Sequence, residues 1–324
     1  MSNAIRFYEF GGTSVLRWEN SEVSEPGPGE ALIRHEAIGV NFVDIYQRNG
    51  LYKIPLPAIA GNEGAGVVEA VGVGVTHIKT GSRVVYAGRI GSYCEKRIIA
   101  ADRLCTIPDD LTFEQCAAMM LKGLTVQYLI RRTYQVKQGD TVLFHAAAGG
   151  VGGIACQWLK ALGATVIGTA GSAEKCSIAL RHGADYCINY TTENIVERVR
   201  EITNGNGVPV VYDSVGKDTF EASLKCLSPF GLLVSFGNAS GPVPPFELGM
   251  LAQHGSLYVT RPTLATYTEN RSDLEPMAQE LFEIVRSGKV KIDINQRYTL
   301  KDAARAHSDL ENRRTTGASI LLPH

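Results

Sequence analysis

Apolar and polar positions change rhythm once along this chain. Over roughly the first 110 residues they alternate in short runs punctuated by glycine and proline, the pattern of strands and turns. Ala31 to Ala37 reads as extended, and Gly64 to Val71 as a strand running into the turn Gly72-Val73-Gly74. Val84 to Ala87 and Tyr93 to Ile99 read as two more strands, with Asn41 to Arg48 as a short helix between strands. Thr112-Phe113-Glu114-Gln115 then has the form of a capping box, in which hydroxyl and amide side chains satisfy orphan N–H groups at a helix start.

Beyond Gly139 the predicted elements alternate strand and helix. The strands are Thr141 to His145, Thr165 to Thr169, Tyr186 to Ile188, Val208 to Asp213 and Leu232 to Phe236. The helices are Val151 to Leu162, Ala173 to His182, Glu193 to Ile202 and Asp218 to Leu227, the first two stopped by Gly163 and Gly183. Such repetition with short connections predicts an α/β fold, a doubly wound parallel sheet covered by helices on both faces. Ser272-Asp273-Leu274-Glu275 has the form of a second capping box, opening a helix to about Ser287. Helix Lys301 to Glu311 and strand Ser319 to Leu322 complete the prediction.

Composition narrows the class. With 324 residues and 44% apolar content, the chain can fill two ordinary cores. Lysine and arginine total 32 against 33 acidic residues, so net charge gives no reason to expect binding to nucleic acid or anionic lipid. The long uncharged runs Thr141 to Leu159 and Cys226 to Phe246 contain four glycines and four prolines respectively, which argues against membrane spans. The start, Met1 to Arg6, lacks an apolar signal segment, and seven widely spaced cysteines include no CxxC pair. The expectation is a soluble cytoplasmic protein with reduced thiols.

The sharpest local signal is Thr141-Val142-Leu143-Phe144-His145-Ala146-Ala147-Ala148-Gly149-Gly150-Val151-Gly152, a strand entering a turn of small residues and then a helix. A dinucleotide pyrophosphate needs backbone amides at a helix start and no side chains in the way. Gly149 permits the close approach and Gly152 the packing of helix on strand, while Ala147 stands where the usual pattern has its first glycine. An NAD site keeps an acid at the end of the second strand for the ribose 2′-hydroxyl. Here that stretch is Thr169-Ala170-Gly171-Ser172, followed by Lys175 and later by Tyr190. Losing a carboxylate and gaining a cation favours a 2′-phosphate, and the expected cofactor is NADPH.

Gly139-Asp140-Thr141-Val142-Leu143, Ala147-Ala148-Gly149-Gly150-Val151-Gly152, Gln157 and Lys160 together resemble the signature of the quinone oxidoreductase (zeta-crystallin-like) family. That family lies within the medium-chain dehydrogenase/reductase superfamily. Ala37-Ile38-Gly39-Val40-Asn41-Phe42-Val43-Asp44 and Gly61-Asn62-Glu63-Gly64-Ala65-Gly66 resemble its N-terminal motifs, and the likeness spans essentially the whole chain. It implies a GroES-like, mostly-β catalytic domain from residues 1–122 and 263–324. A Rossmann NADPH-binding domain of residues 123–262 would be inserted between them, with the cofactor in the cleft. It also implies a homodimer joined near Gly255-Ser256-Leu257-Tyr258-Val259.

Residue by residue, the resemblance assigns Gly149, Gly150, Val151 and Gly152 to the pyrophosphate. Gly171, Ser172, Lys175 and Tyr190 go to the adenosine ribose and its phosphate. Ser214, Phe236, Gly237 and Asn238 go to the rest of the dinucleotide, Asn41 and Tyr46 to the nicotinamide side, and Arg313 to a further phosphate contact. Zinc-dependent cousins place cysteine where this chain has Asn41 and histidine where it has Asn62. An amide is a poor zinc ligand, and only Cys94 and Cys105 fall where the cousins carry four structural zinc ligands, so no metal is expected.

A quinone is reducible without a metal: the protein need only hold the ring near the nicotinamide, and water can protonate the product oxygens. Asn41 is then the candidate to orient the carboxamide or a substrate oxygen, with Tyr46 and Tyr52 as a wall against the ring. Asp44 is either a further polar group or a structural hydrogen-bond partner, and His145 reads as a core histidine. One-electron and hydride transfer are both compatible with these residues. The alternative activities are NADPH-dependent reduction of activated alkenes, such as enones or enoyl thioesters, and a dinucleotide-binding role in RNA association or structure.

Overall fold

Glycines and caps punctuate the second half of the chain, and the elements follow them closely. The computed structural model describes residues 2–323. They divide into two units, one of residues 1–124, 268–286 and 292–324, the other of residues 125–267 and 287–291.

In the second unit the strands Thr141–Phe144, Thr165–Ala170, Tyr186–Asn189, Val208–Asp213, Leu227–Ser235 and Tyr258–Thr260 form one parallel sheet. Counted along the chain they lie side by side in the order 3-2-1-4-5-6, the doubly wound arrangement of dinucleotide-binding sheets. Helix Gly150–Ala161 buries Ile154, Ala155, Trp158 and Leu159. A core of Leu143, Ile167, Val211, Phe220, Leu224 and Leu233 gathers strand and helix side chains. Gly163 and Gly183, at φ 79° and 95°, end their helices in the left-handed conformation that glycine adopts without cost.

In the first unit a seven-stranded sheet is built around the long strand Glu30–Val40, which pairs with Glu63–Val71, Lys96–Ala100 and Ala318–Leu322. All its pairings are antiparallel except Ile294–Thr299 with Ala318–Leu322. A smaller sheet holds Ser2–Phe7 between Arg17–Ser21 and Ala58–Ile59. None of these strands outside the long sheet was predicted from alternation.

Thr112 caps as predicted: its hydroxyl accepts from Gln115 N–H at 3.1 Å, and Gln115 Oε1 accepts from Thr112 N–H at 3.0 Å. Four expectations are corrected. Helix Arg271–Arg286 starts before Ser272, since the carbonyl of Asn270 already accepts from Asp273 and Leu274, so Ser272 is inside the helix. Helix Phe220–Cys226 starts later than Asp218 because Gly216 sits at φ 92° and Asp213 Oδ1 holds the N–H groups of Val215 and Gly216. The next strand begins at Leu227 rather than Leu232, with a register shift against its neighbour. The strand expected from Tyr93 begins at Lys96, because Cys94 makes only an isolated bridge to Ala4. Among the described residues, no helix is long and apolar enough to cross a membrane.

Candidate active site

The glycine-rich turn is shaped by what a side chain would strike. Gly149 is the N-cap of helix Gly150–Ala161, and the first bond inside that helix is Gly153 N–H to Gly149 O at 2.7 Å. The amides of Gly150, Val151 and Gly152 therefore precede the helical ladder, where an anion is best received. A Cβ on Gly152 would lie 2.4 Å from Ala146 O and 2.7 Å from Ala147 Cα, both backbone atoms. Ala146 bends the chain at φ 54°. The alanine at 147 is accommodated from next door: a Cβ on Gly168 would meet its methyl at 2.7 Å, so the missing glycine has its counterpart in the adjacent strand.

At the end of strand Thr165–Ala170, Ser172 caps the following helix by accepting Lys175 N–H at 3.2 Å. Tyr190 follows the neighbouring strand, and its hydroxyl would lie 2.5 Å from a Cβ on Gly171. Gly171, Ser172, Lys175 and Tyr190 are thus brought together, with the Tyr190 ring half exposed. Ser214 and Gly237 also touch, since a Cβ on Gly237 would be 2.3 Å from Ser214 O. Phe236 lies 5.8 Å from Phe144, centroid to centroid, and Asn238 continues the same loop. These groups all lie at the carboxyl ends of the parallel strands, where such sheets bind ligands. The bare turn, the Gly171 notch and the lysine fit a phosphorylated dinucleotide.

In the first unit Asn41 is the N-cap of helix Phe42–Arg48, and Asp44 Oδ2 accepts its N–H at 2.8 Å. The Asn41 side chain is buried and held at both ends: Nδ2 donates to Glu63 Oε2 at 2.8 Å, and Oδ1 accepts from Lys122 Nζ at 2.7 Å. Tyr46 is buried on the same helix and meets the Tyr52 ring edge-on at 5.2 Å. Asn62 donates to Asp44 Oδ1 at 2.7 Å and to Gln47 Oε1 at 2.6 Å. A lysine ammonium and two amides are no zinc ligand set. Among the described residues, no group of three or more His, Cys, Asp or Glu stands ready for a metal. Arg313 is exposed, at φ 58° in the turn that closes helix Ala303–Glu311.

A buried polar network lies behind this cluster. Arg48 Nη1 donates to His307 Nδ1 at 3.2 Å, which leaves Nε2–H to donate to Tyr93 Oη at 3.0 Å, and Tyr93 O–H donates to Asp44 Oδ2 at 3.0 Å. Burial pushes Asp44 up to about 6, against the Asn62, Asn41 and Tyr93 donors that pull it down. Burial, helped by the Arg48 charge, lowers His307 to about 3. Burial also raises Glu63, while the Lys122 charge and its N–H donors oppose the rise. Asp44 is thus a structural partner of Asn41, Asn62 and Tyr93. His145 is the expected core histidine, bonded to Thr169 Oγ1 and Ser223 Oγ at 3.0 Å each.

Lys122, Glu63 and His307 escaped the sequence reading as site residues. Lys122 leaves one signal: it is a lone charge in the run Ala117-Ala118-Met119-Met120-Leu121-Lys122-Gly123-Leu124.

Comparison with known proteins agrees with this geometry. Residues 27–136 match the alcohol dehydrogenase GroES-like domain, and residues 150–283 match a family described as zinc-binding dehydrogenase. A quinone oxidoreductase of Pseudomonas aeruginosa is 55% identical over the full length of both chains. A 2-haloacrylate reductase of a Burkholderia species is 43% identical, over 100% of this chain and 99% of its own. The crystal structure of Escherichia coli quinone oxidoreductase complexed with NADPH superposes with a TM-score of 0.97 at 52% identity, covering 99% of this chain and 100% of that one. On fold, turn and full-length similarity together, the chain belongs to the quinone oxidoreductase family of the medium-chain dehydrogenase/reductase superfamily.

Proposed function

We propose that this protein is an NADPH-dependent quinone reductase that works without zinc. The observation that carries the cofactor assignment is the end of strand Thr165–Ala170, where Gly171, Ser172, Lys175 and Tyr190 stand together and the stretch Thr169 to Ser172 itself carries no carboxylate. When bound, NADPH supplies two electrons and one hydrogen, and a proton from water completes the hydroquinone.

The remaining work falls to the chain. Gly150, Val151 and Gly152 receive the pyrophosphate on backbone amides, Gly149 with no side chain leaves the approach open, and Lys175 answers the 2′-phosphate with a charged hydrogen bond. Ser214, Phe236, Gly237 and Asn238 line the rest of the dinucleotide, and Arg313 adds a phosphate contact. Asn41 and Tyr46 serve the nicotinamide end, where Asn41 orients a carboxamide or quinone oxygen. Tyr46 and Tyr52 offer an aromatic wall to a flat ring. Residues 1–122 and 263–324 act as the catalytic domain and residues 123–262 as the nucleotide domain.

The protein works in the cytoplasm as a homodimer. Tyr258–Thr260 is an edge strand, and Tyr258 is 62% exposed, as an edge awaiting a partner would be. The 43% identity to a 2-haloacrylate reductase favours activated alkenes as a second substrate class. Steady-state assays with NADPH against benzoquinones, naphthoquinones, enones and 2-haloacrylates test the reading. Turnover of quinones is expected; turnover confined to the alkenes, or none with NADPH, overturns it.

A further inference from the structure

We propose that Lys122 and Glu63 are positioning residues that lock the carboxamide of Asn41 in one orientation. The inference rests on the reading that Asn41 serves the reacting end of the site.

Hydrogen-bond capacity carries the argument. The Lys122 ammonium has three N–H donors and three acceptors around it: Asn41 Oδ1 at 2.7 Å, Val40 O at 3.3 Å and Glu63 Oε2 at 3.5 Å. Its shortest bond is to Asn41 and its charge is buried against Glu63, so its influence passes through Asn41. Glu63 is equally committed, with Oε2 accepting from Asn41 Nδ2 at 2.8 Å and Oε1 from Leu121 N–H at 2.6 Å. Flipping the Asn41 amide would turn its NH2 toward the ammonium and its oxygen toward the carboxylate. Both contacts would be repulsive, so the flip is forbidden while both charges are present. The second N–H of Asn41 and the remaining lone pair of its oxygen then have fixed directions. Polarisation by the ammonium also makes that N–H a stronger donor.

The backbone makes room for this lock. A Cβ on Gly39 would fall 2.1 Å from Glu63 Oε2 and 2.3 Å from Ala117 O, so only glycine lets strand, carboxylate and helix meet. Stability does not account for the pair. Glu63 is 0% and Lys122 6% exposed, and an ion pair buried so deeply is often matched by apolar side chains of equal volume. What apolar side chains cannot supply is a fixed amide.

The test is a mutant cycle on the full-length protein. Lys122→Met, Glu63→Gln and the double variant are each made with Asn41 and with Asn41→Ala, then assayed with NADPH and a naphthoquinone alongside thermal melts. With Asn41 present, each variant is expected to lower kcat by roughly tenfold to a hundredfold, the size of a misplaced catalytic group. The KM for NADPH should stay within about threefold, since the nucleotide turn is untouched. In the Asn41→Ala background the same changes are expected to cost nothing further. The double variant should recover most of the melting temperature lost by Lys122→Met, yet remain slow. A folded double variant with wild-type kcat, or equal losses in both backgrounds, overturns the proposal. If Lys122→Met yields no folded protein, the Glu63→Gln arm decides by the same criterion. A wild-type protein inactive with NADPH and every quinone would instead refute the proposed function.

Discussion

Gly152→Ala adds a single methyl group at the place where the turn meets its helix. That methyl would sit 2.4 Å from Ala146 O and 2.7 Å from two backbone atoms of Ala147, and no rotamer change relieves a contact with backbone. The start of helix Gly150–Ala161 must move away from the turn by roughly 0.5–1 Å, an overpacking strain worth about 1–3 kcal/mol. At about 2–4 °C per kcal/mol for a domain of this size, the melting temperature should fall by about 2–12 °C. The same movement takes the amides of Gly150 to Gly152 off the pyrophosphate. Losing one charge-assisted hydrogen bond costs about 1.5–3 kcal/mol, so NADPH should bind roughly ten- to a hundredfold more weakly. Gly149→Ala is the control for the melts alone: its Cβ meets only Ala146 O, at 3.2 Å, in a backbone conformation open to alanine. Differential scanning calorimetry and NADPH fluorescence titration read both effects. A Gly152→Ala protein that melts and binds like the wild type would refute the reasoning.

Lys175→Ala should weaken NADPH by about 1.5–3 kcal/mol and leave NADH nearly unchanged, and equal losses in parallel titrations would remove the 2′-phosphate assignment. His35 and His307 are buried and held near 3, against 6.5 for the free side chain, so their contribution to stability is complete above pH 6.5 and lost as pH falls toward 3. Each is worth up to about 5 kcal/mol at the acid end, and His307→Gln should flatten the fall of melting temperature below pH 6.5; an unchanged slope would contradict this. Asp44 has the opposite sign, since its raised value of about 6 makes the folded protein lose stability as pH rises from 3.8 toward 6, and Asp44→Asn should remove that component from the same melts. Prolonged dialysis against a chelator should leave quinone turnover intact, and loss of activity reversed by added zinc would overturn the metal-free reading.

The nucleotide unit was legible because its signals are local. Strand, small-residue turn and helix follow one another within Thr141 to Leu162, and Gly163 and Gly183 mark helix ends by a conformation that only glycine takes freely. Caps were legible where side chain and amide are neighbours, as at Thr112, and misled at Ser272, where Asn270 had already begun the helix. The positions of Asn41, Tyr46 and Lys175 came from motif and resemblance, whereas the partners of Asn41 did not. Lys122 reaches it across 81 residues and Glu63 across 22, and no periodicity within an element encodes such contacts. His307 and Tyr93 meet over 214 residues, so their network exists only once the sheet has closed.

The most direct test is to mix the purified protein with NADPH, then with a naphthoquinone under anaerobic conditions, and to follow loss of the reduced nicotinamide. The account predicts saturable NADPH binding, preferred over NADH by roughly tenfold or more, and consumption of one NADPH for each hydroquinone formed. Failure to bind NADPH, or binding with no consumption by any quinone, would contradict it.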